Sequence, residues 1–235
     1  ANDRFRVSCA IANFMACTPA WREIGVKMAH QHLTAYLSIT KAMQAKHGGI
    51  PDLPVQAIEA MEQGRITMTI DPDFIKGMQT KMFLELAWIN YNQNWDVIFN
   101  SSNRPFLTSD NPLAYLAMET AVGEPTDRVL PITPQMCLRI NYDTHDAGPF
   151  DLSKPHKGSI RFGNIDPGGA EIVNRFVVMC ADRFVFSSID SSDIANFVRE
   201  YGDYRIVEDY IELPGDQEDS MYQVARIRIR QTSGG

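Results

Sequence analysis

The stretch Phe106-Leu107-Thr108-Ser109-Asp110-Asn111-Pro112 joins a short apolar run to four small polar residues and a proline. The apolar run predicts the end of a β-strand, and Pro112 keeps Asn111 out of helical backbone geometry. In a structural interpretation, Asp110 and Asn111 bond to nearby backbone and turn the chain. In a functional interpretation, both side chains project from the end of a sheet into a cleft, as a general base, a metal ligand or a polar anchor. The pattern by itself favours the turn and specifies no reaction.

The two halves of the chain differ in the period of their apolar residues. Residues 1–94 carry apolar side chains at helical spacing, which predicts a mainly helical region. Residues 95–235 contain short apolar runs separated by Asn, Ser, Gly and Pro, which predict strands. One long helix is expected after residue 169. The predicted fold class is therefore α+β, with a helical N-terminal half packed on a mostly antiparallel β-sheet.

Individual elements follow from the same patterns. The predicted helices are residues 7–16, 18–46, 52–63, 72–91, 170–181 and 193–201, and the predicted strands are 95–99, 105–108, 128–132, 136–140, 183–187, 204–213 and 221–231. Residues 66–70 are predicted as a strand or an extended link, and residues 143–159 as a long loop. We expect one integrated domain, with further residues of the protein preceding Ala1 because the chain lacks an initiator methionine.

Composition and charge narrow the class of protein. The 235 residues are 44% hydrophobic and 22% charged, which is typical of a folded domain. A formal charge of -7 disfavours nucleic acid and anionic membranes as partners, although it leaves a local basic patch possible. No apolar run approaches the roughly eighteen residues of a membrane-spanning helix. The four cysteines, at positions 9, 17, 137 and 180, lie in apolar stretches without a C-x-x-C pair. They are predicted to be buried free thiols, which indicates a reducing, cytoplasmic location.

Three further segments extend the pattern around residues 106–112. They are Leu130-Pro131-Ile132-Thr133-Pro134, then Asn174 followed by Ala181-Asp182-Arg183-Phe184-Val185-Phe186-Ser187-Ser188, and Thr18-Pro19 near the start. Together with residues 106–112, these segments resemble those of an uncharacterised bacterial family of unknown function, of the DUF 4238 type. Leu107 stands where that family commonly has Ile, and Cys17 stands where it usually has Arg. The family has no settled activity, so the resemblance implies no catalytic residues.

The candidate site residues are polar residues of the segments 106–112 and 174–183, which we expect to lie close together in the fold. The predicted catalytic residues are Asp110, Asn111, Asn174 and Arg183, and the predicted ligand-binding residues are Thr108, Ser109 and Arg175. Each has a plainer interpretation: Asn174 as a helix-surface residue or cap, and Arg183 as one half of a structural salt bridge. The sequence predicts no metal site and identifies no cofactor.

Two hypotheses for function follow. The first is a hydrolase-like enzyme acting on a polar or phosphorylated substrate or on nucleic acid, in bacterial defence against phage. The second is a non-catalytic binding or effector module, in which residues 108–112 are a structural turn. The partner would be a small molecule or a protein.

Overall fold

The structure is a computed structural model that describes residues 2–18, 25–26, 60, 63, 65, 72–117, 119–121, 126–141, 147–214 and 221–232. By its internal contacts the chain divides into two compact units, one of residues 1–21 and 82–235 and one of residues 22–81. The helices predicted at 18–46 and 52–63, and the strand or link at 66–70, lie outside the described residues apart from isolated positions.

The described elements run from two helices into mostly antiparallel strands, with two further helices later in the chain, which confirms the α+β fold class. The helices are α1 (Asn2–Cys17), α2 (Pro72–Asn92), α3 (Pro167–Cys180) and α4 (Ser192–Tyr201). The strands are β1 (Asn94–Asn100), β2 (Thr108–Ser109), β3 (Ala114–Tyr115), β4 (Glu119–Ala121), β5 (Arg128–Thr133), β6 (Met136–Asn141), β7 (Ile160–Ile165), β8 (Val185–Phe186), β9 (Tyr204–Pro214) and β10 (Met221–Gln231). Each predicted helix and strand from residue 72 onward overlaps an observed element, although the strand predicted at 105–108 shares only Thr108 with β2 and the one predicted at 183–187 is shortened to β8. Helix α3 begins three residues before the predicted residue 170.

A five-stranded sheet in the order β3-β5-β6-β1-β7 is the centre of the larger unit. Its pairs are antiparallel except β1 with β7, which are parallel. The predicted closing pair is also present, because β10 runs antiparallel to β9 along its whole length and pairs with β4 on its other side. The sheets are therefore mostly antiparallel, as expected.

The two faces of the central sheet are covered by different helices. Side chains alternate along a strand, so Trp95 and Val97 pack on one face and Ile98 on the other. The first face joins Ile11 and Met15 of α1 in one buried cluster. The second face joins the buried side of α3 in the other cluster, which also contains Phe106, Leu107, Val173, Val177, Val178 and Cys180. This second cluster fixes α3 against the segment that the sequence singled out.

The end of α2 is held by an arginine from α1. Arg4 is 7% exposed and donates from Nε to the carbonyl oxygen of Tyr91 at 2.9 Å and from Nη2 to that of Gln93. Its guanidinium also lies 4.3 Å from the ring centre of Trp95. The last carbonyls of a helix carry partial negative charge, and α2 has no basic residue in its own last turn. Arg4 supplies that positive charge, although burial lowers the pKa of its guanidinium.

Three of the four cysteines have described side chains. Cys137 and Cys180 are buried and free, as predicted, and burial raises the pKa of each thiol to about 12. Cys9 is free and half-buried, and the side chain of Cys17 lies outside the description. Among the helices described, none has the length and apolar character to cross a bilayer.

Candidate functional site

Asp110 follows β2 at the point where the chain turns toward β3. Its Oδ1 accepts a hydrogen bond from the backbone N–H of Asp182 at 2.9 Å. Its Oδ2 accepts from Arg183 at 2.8 Å and from Phe184 at 3.3 Å. The N–H of Asp110 returns a bond to the carbonyl of Phe184 at 3.1 Å. The carboxylate thus ties the end of β2 to the connection between α3 and β8.

Asn111 is 1% exposed and reaches the other side of the same connection. Its Nδ2 donates to the carbonyl of Cys180, the last residue of α3, at 2.9 Å. None of the described residues forms a hydrogen bond with its buried Oδ1. Ser109 closes the turn locally, because its hydroxyl donates to the carbonyl of Asn111 at 2.8 Å and accepts from the N–H of Asn111 at 3.2 Å.

Asn174 lies in the middle of α3 and is 6% exposed. Its Oδ1 accepts from the N–H of Leu107 at 2.9 Å, and its Nδ2 donates to the carbonyl of Pro105 at 2.9 Å. Residues 105–107 form no strand of their own, so this side chain replaces the backbone partners that a neighbouring strand would have supplied.

The remaining predicted residues are more open. Arg183 meets Asp110 through its backbone N–H, while its guanidinium is exposed and lies 3.5 Å from the carboxylate of Asp182. Arg175 extends over the rings of Phe176 and Tyr201, 5.7 and 6.0 Å from their centres. Thr108 is half-buried in β2 opposite Phe186.

Four of the seven candidates therefore form hydrogen bonds with backbone groups, either within the turn itself or in the segments packed beside it. We call Ser109, Asp110, Asn111 and Asn174 the polar frame. Its members bond, in chain order, to the turn itself, to residues 182–184, to residue 180 and to residues 105–107. Since α3 rises about 1.5 Å per residue, Asn174 and Cys180 lie about 9 Å apart along the helix. The frame is a row of backbone contacts along α3, and the catalytic assignment of its members stays a prediction.

A pocket of about 220 Å³ lies next to the frame, on the side facing α4. Its apolar wall consists of Pro105, Leu107, Ile189, Ile194 and Phe197, and its polar lining of Asn103, Arg104, Glu171, Asn174, Ser191 and Asp193. Asn174 is thus shared by the frame and the pocket, and its two polar side-chain atoms are already bonded to backbone.

The charges of the pocket are compensated within the protein. Nη1 of Arg104 lies 2.6 Å from Oε2 of Glu171, and both side chains are about half exposed. Asp193 lies in the first turn of α4, where its negative charge is favoured by the helix dipole. The hydroxyl of Ser191, the N-cap of α4, accepts from the N–H of Asp193 at 3.2 Å, which leaves its own hydrogen able to donate to a ligand.

Sequence reasoning did not predict the pocket residues other than Asn174. Ser191 and Asp193 carry the pattern of a helix start, which indicates a cap and nothing about a ligand. Arg104 and Glu171 are 67 positions apart, and no local pattern links them. Within the described part of the chain, no group of three or more His, Cys, Asp or Glu side chains is arranged to hold a metal ion.

Comparison with known families bears on the chain as a whole. The model of a family described as a protein of unknown function, DUF4238, matches residues 3–191. The chain belongs to this family. The match runs from α1 to the pocket-lining segment at the start of α4, so it includes the polar frame. Among curated proteins and solved structures, nothing matches the chain.

Proposed function

We propose that this DUF4238 protein is a non-catalytic binding module, in which the polar frame is architectural and the 220 Å³ pocket receives a small ligand. The observation that carries the proposal is the carboxylate of Asp110. It accepts backbone N–H groups from three successive residues, 182, 183 and 184. A general base or nucleophile needs a lone pair directed at substrate, and these bonds direct both carboxylate oxygens at the main chain.

The ligand that suits the pocket is uncharged, with an apolar body and one polar group. The lining contains five apolar and six polar residues, so the pocket offers both an apolar wall and partners for a polar group. A phosphate would have to compete with Glu171 for the charge of Arg104, because the two side chains already form an ion pair at 2.6 Å. An uncharged polar group needs no such exchange, because the Ser191 hydroxyl and the Asn103 amide lie in the lining.

Three probes that share a six-carbon chain test the charge preference: hexanol, hexyl phosphate and hexylamine. In ligand-observed NMR we expect hexanol to bind more tightly than both charged probes. An Ile189→Trp variant places a larger side chain in the lining of the pocket and should weaken hexanol binding at least about tenfold. Ile132→Trp is the matched control, because Ile132 is similarly exposed, 52% against 48%, and does not line the pocket.

Two outcomes would contradict this proposal. One is tighter binding of hexyl phosphate than of hexanol. The other is hexanol binding that Ile189→Trp and Ile132→Trp change equally, which would place the probe elsewhere on the surface.

The second candidate is the hydrolase-like enzyme, and one observation favours it. Glu171 and Asp193 both line the pocket, and a pair of carboxylates is the usual equipment for acid–base hydrolysis. In this case the working residues would be Glu171 and Asp193 in addition to, or in place of, Asp110, Asn111, Asn174 and Arg183. Hydrolysis, a role in phage defence and a cytoplasmic location stay predictions.

A further inference from the structure

Strand β7 is exposed on both of its faces. Residues 160–164 are all exposed, and Phe162 keeps 73% of its surface and Ile160 44%. By contrast, β1, its neighbour in the sheet, carries the buried Trp95. Among the described strands none pairs with the outer side of β7, which is the last strand in the sheet order. An exposed strand edge with apolar side chains is the usual template for adding another strand.

The hydrogen bonds to β1 show which backbone groups face outward. Trp95 is in register with Ile160, and its N–H donates to the carbonyl of Ser159 at 2.9 Å. In a parallel ladder this pattern directs residues 159, 161, 163 and 165 toward β1. The N–H and C=O groups of Ile160, Phe162 and Asn164 therefore point away from the sheet. Each of these three residues offers one donor and one acceptor to a further strand.

Two of these three outward residues, Ile160 and Phe162, carry the apolar side chains of the edge. Ile160, Phe162 and Asn164 lie on the sheet face of Trp95, Val97 and Phe99, their partners in register. Phe99 is 41% exposed, so an apolar strip continues from the α1-covered core to the open edge. The other face of β7 carries Arg161, which is bonded to Asp96 of β1 at 2.7 Å.

The free edge of β7 is bounded at both ends, which restricts the number of residues that can pair with another strand. A Cβ added to Gly158 would lie 1.9 Å from the carbonyl oxygen of Gln93, so the chain is pressed against α2's end there. At the other end Asp166 caps α3 and Pro167 begins it. The edge therefore offers three outward residues, centred on Phe162.

We propose that β7 pairs with β7 of a second copy of this chain, antiparallel and about a twofold axis at Phe162. Phe162 then lies opposite Phe162 of the other copy, and Ile160 lies opposite Asn164 in both directions. All three outward residues of each copy find outward partners, and each pair exchanges two hydrogen bonds. The two central sheets join into one, with an aromatic pair at its middle.

Two criteria select this register: the distance between like charges, and the number of outward residues that find an outward partner. With the axis at Phe162, Arg161 faces Gly163 of the other copy, and the guanidiniums stay apart. An axis at Arg161 would place the two guanidiniums opposite each other, which is destabilising. An axis at Gly163 would pair two of the three outward residues and leave Ile160 without a partner. With the axis at Phe162, every outward residue of one copy therefore pairs with an outward residue of the other, as a twofold interface requires.

Cysteine cross-linking tests the register. In a Phe162→Cys variant the two introduced thiols lie opposite each other, with Cα atoms about 5.5 Å apart, within the range for a disulfide. Mild oxidation should convert most of the chain to a covalent dimer. Ile160→Cys is the matched control on the same face: its two copies would be four residues apart along the strand, about 13 Å, and should cross-link no more than the parent chain. Equal cross-linking of both variants, or none above the parent chain, would overturn the proposal.

A proline variant tests the interface without new thiols. The N–H of Phe162 points outward, so Phe162→Pro removes no bond to β1 but blocks the pairing. Sedimentation should show a dimer for the parent chain and a monomer for Phe162→Pro, with circular dichroism unchanged. A parent chain that is monomeric at 100 μM, or a dimer that persists in Phe162→Pro, would show that β7 is not the interface. The pocket's probe binding is independent of either result.

Discussion

The polar frame and the neighbouring pocket both contain polar side chains, but those of the frame are bonded to backbone whereas the carboxylates of the pocket are exposed. In the frame, Asp110 and Asn174 give their polar atoms to main-chain groups of residues 182–184 and 105–107. In the pocket, Glu171 and Asp193 lie in the lining and are exposed to water. Motif reasoning directs attention to the frame, whereas the space for a ligand lies beside it. A polar motif at a strand end is therefore informative only once the partners of its lone pairs are known.

The largest effect should come from Asn174→Ala, because Asn174 is buried and serves a donor and an acceptor. Its removal leaves the N–H of Leu107, which is 1% exposed, and the carbonyl of Pro105 without partners. We expect a loss of about 3 kcal/mol in the free energy of unfolding. That corresponds to roughly 6–12 °C in the melting temperature of a chain of this size. Denaturant unfolding measures it.

Asn196→Ala is the control for that substitution. Asn196 is also a helical asparagine, but it is exposed on α4 and bonds to Arg199. Its replacement should change the free energy of unfolding by less than about 0.5 kcal/mol. If Asn174→Ala proved as mild as Asn196→Ala, the frame would not be architectural and the contrast with the pocket would fail.

The second effect separates two aspartates that both accept backbone N–H groups. Asp110 accepts three, and Asp166, the N-cap of α3, accepts one from Gly169 at 2.7 Å. Asparagine caps a helix about as well as aspartate, so Asp166→Asn should change stability by about 0.5 kcal/mol or less. In Asp110→Asn an NH₂ group would face N–H donors, and we expect a loss of about 2 kcal/mol.

Thermal and urea unfolding of both variants decide the point. Replacing a catalytic carboxylate commonly leaves stability unchanged or raises it, because active sites are strained. An Asp110→Asn protein as stable as the parent chain would therefore favour the enzyme hypothesis over the binding module.

The smallest effect should come from the charged pair at the pocket. Arg104 and Glu171 are about half exposed, so water and salt screen their attraction. We expect Glu171→Gln to change the free energy of unfolding by about 0.5 kcal/mol or less, while it frees Arg104 for an anion. Binding of hexyl phosphate should then rise relative to hexanol. A loss above about 1 kcal/mol would mean that this pair belongs to the architecture as the frame does.

Periodicity in the sequence predicted the elements that bury one face against a core. The helix at residues 72–91, the strands at 95–99, 128–132 and 136–140, and the closing pair of strands appear where their patterns placed them. The strand β7 was not predicted: residues 143–159 were expected to be a loop, and residues 160–165 were not identified as a strand. The alternation of apolar and polar residues in β7 covers only Ile160-Arg161-Phe162, which is shorter than the four or more residues that mark a half-buried strand.

The predicted strands at 105–108 and 183–187 are shorter in the structure, as β2 and β8. The sequence shows apolar residues there but does not show that Asn174 and Asp110 would take over the backbone groups of the flanking residues. Asn174 is 67 positions from Leu107, and Asp110 is 72 positions from Asp182. No local sequence pattern can link residues that far apart.

Local composition and apolar period determined the α+β class and the helical and strand segments with a buried face, and short sequence motifs indicated the family. They act through neighbours within a few residues, which is the range over which helix and strand preferences operate. Tertiary structure decided which polar side chains are consumed by backbone, where a pocket opens between α3 and α4, and which strand edge is left open. Those outcomes depend on contacts between residues that are distant in sequence and meet only after the core has packed.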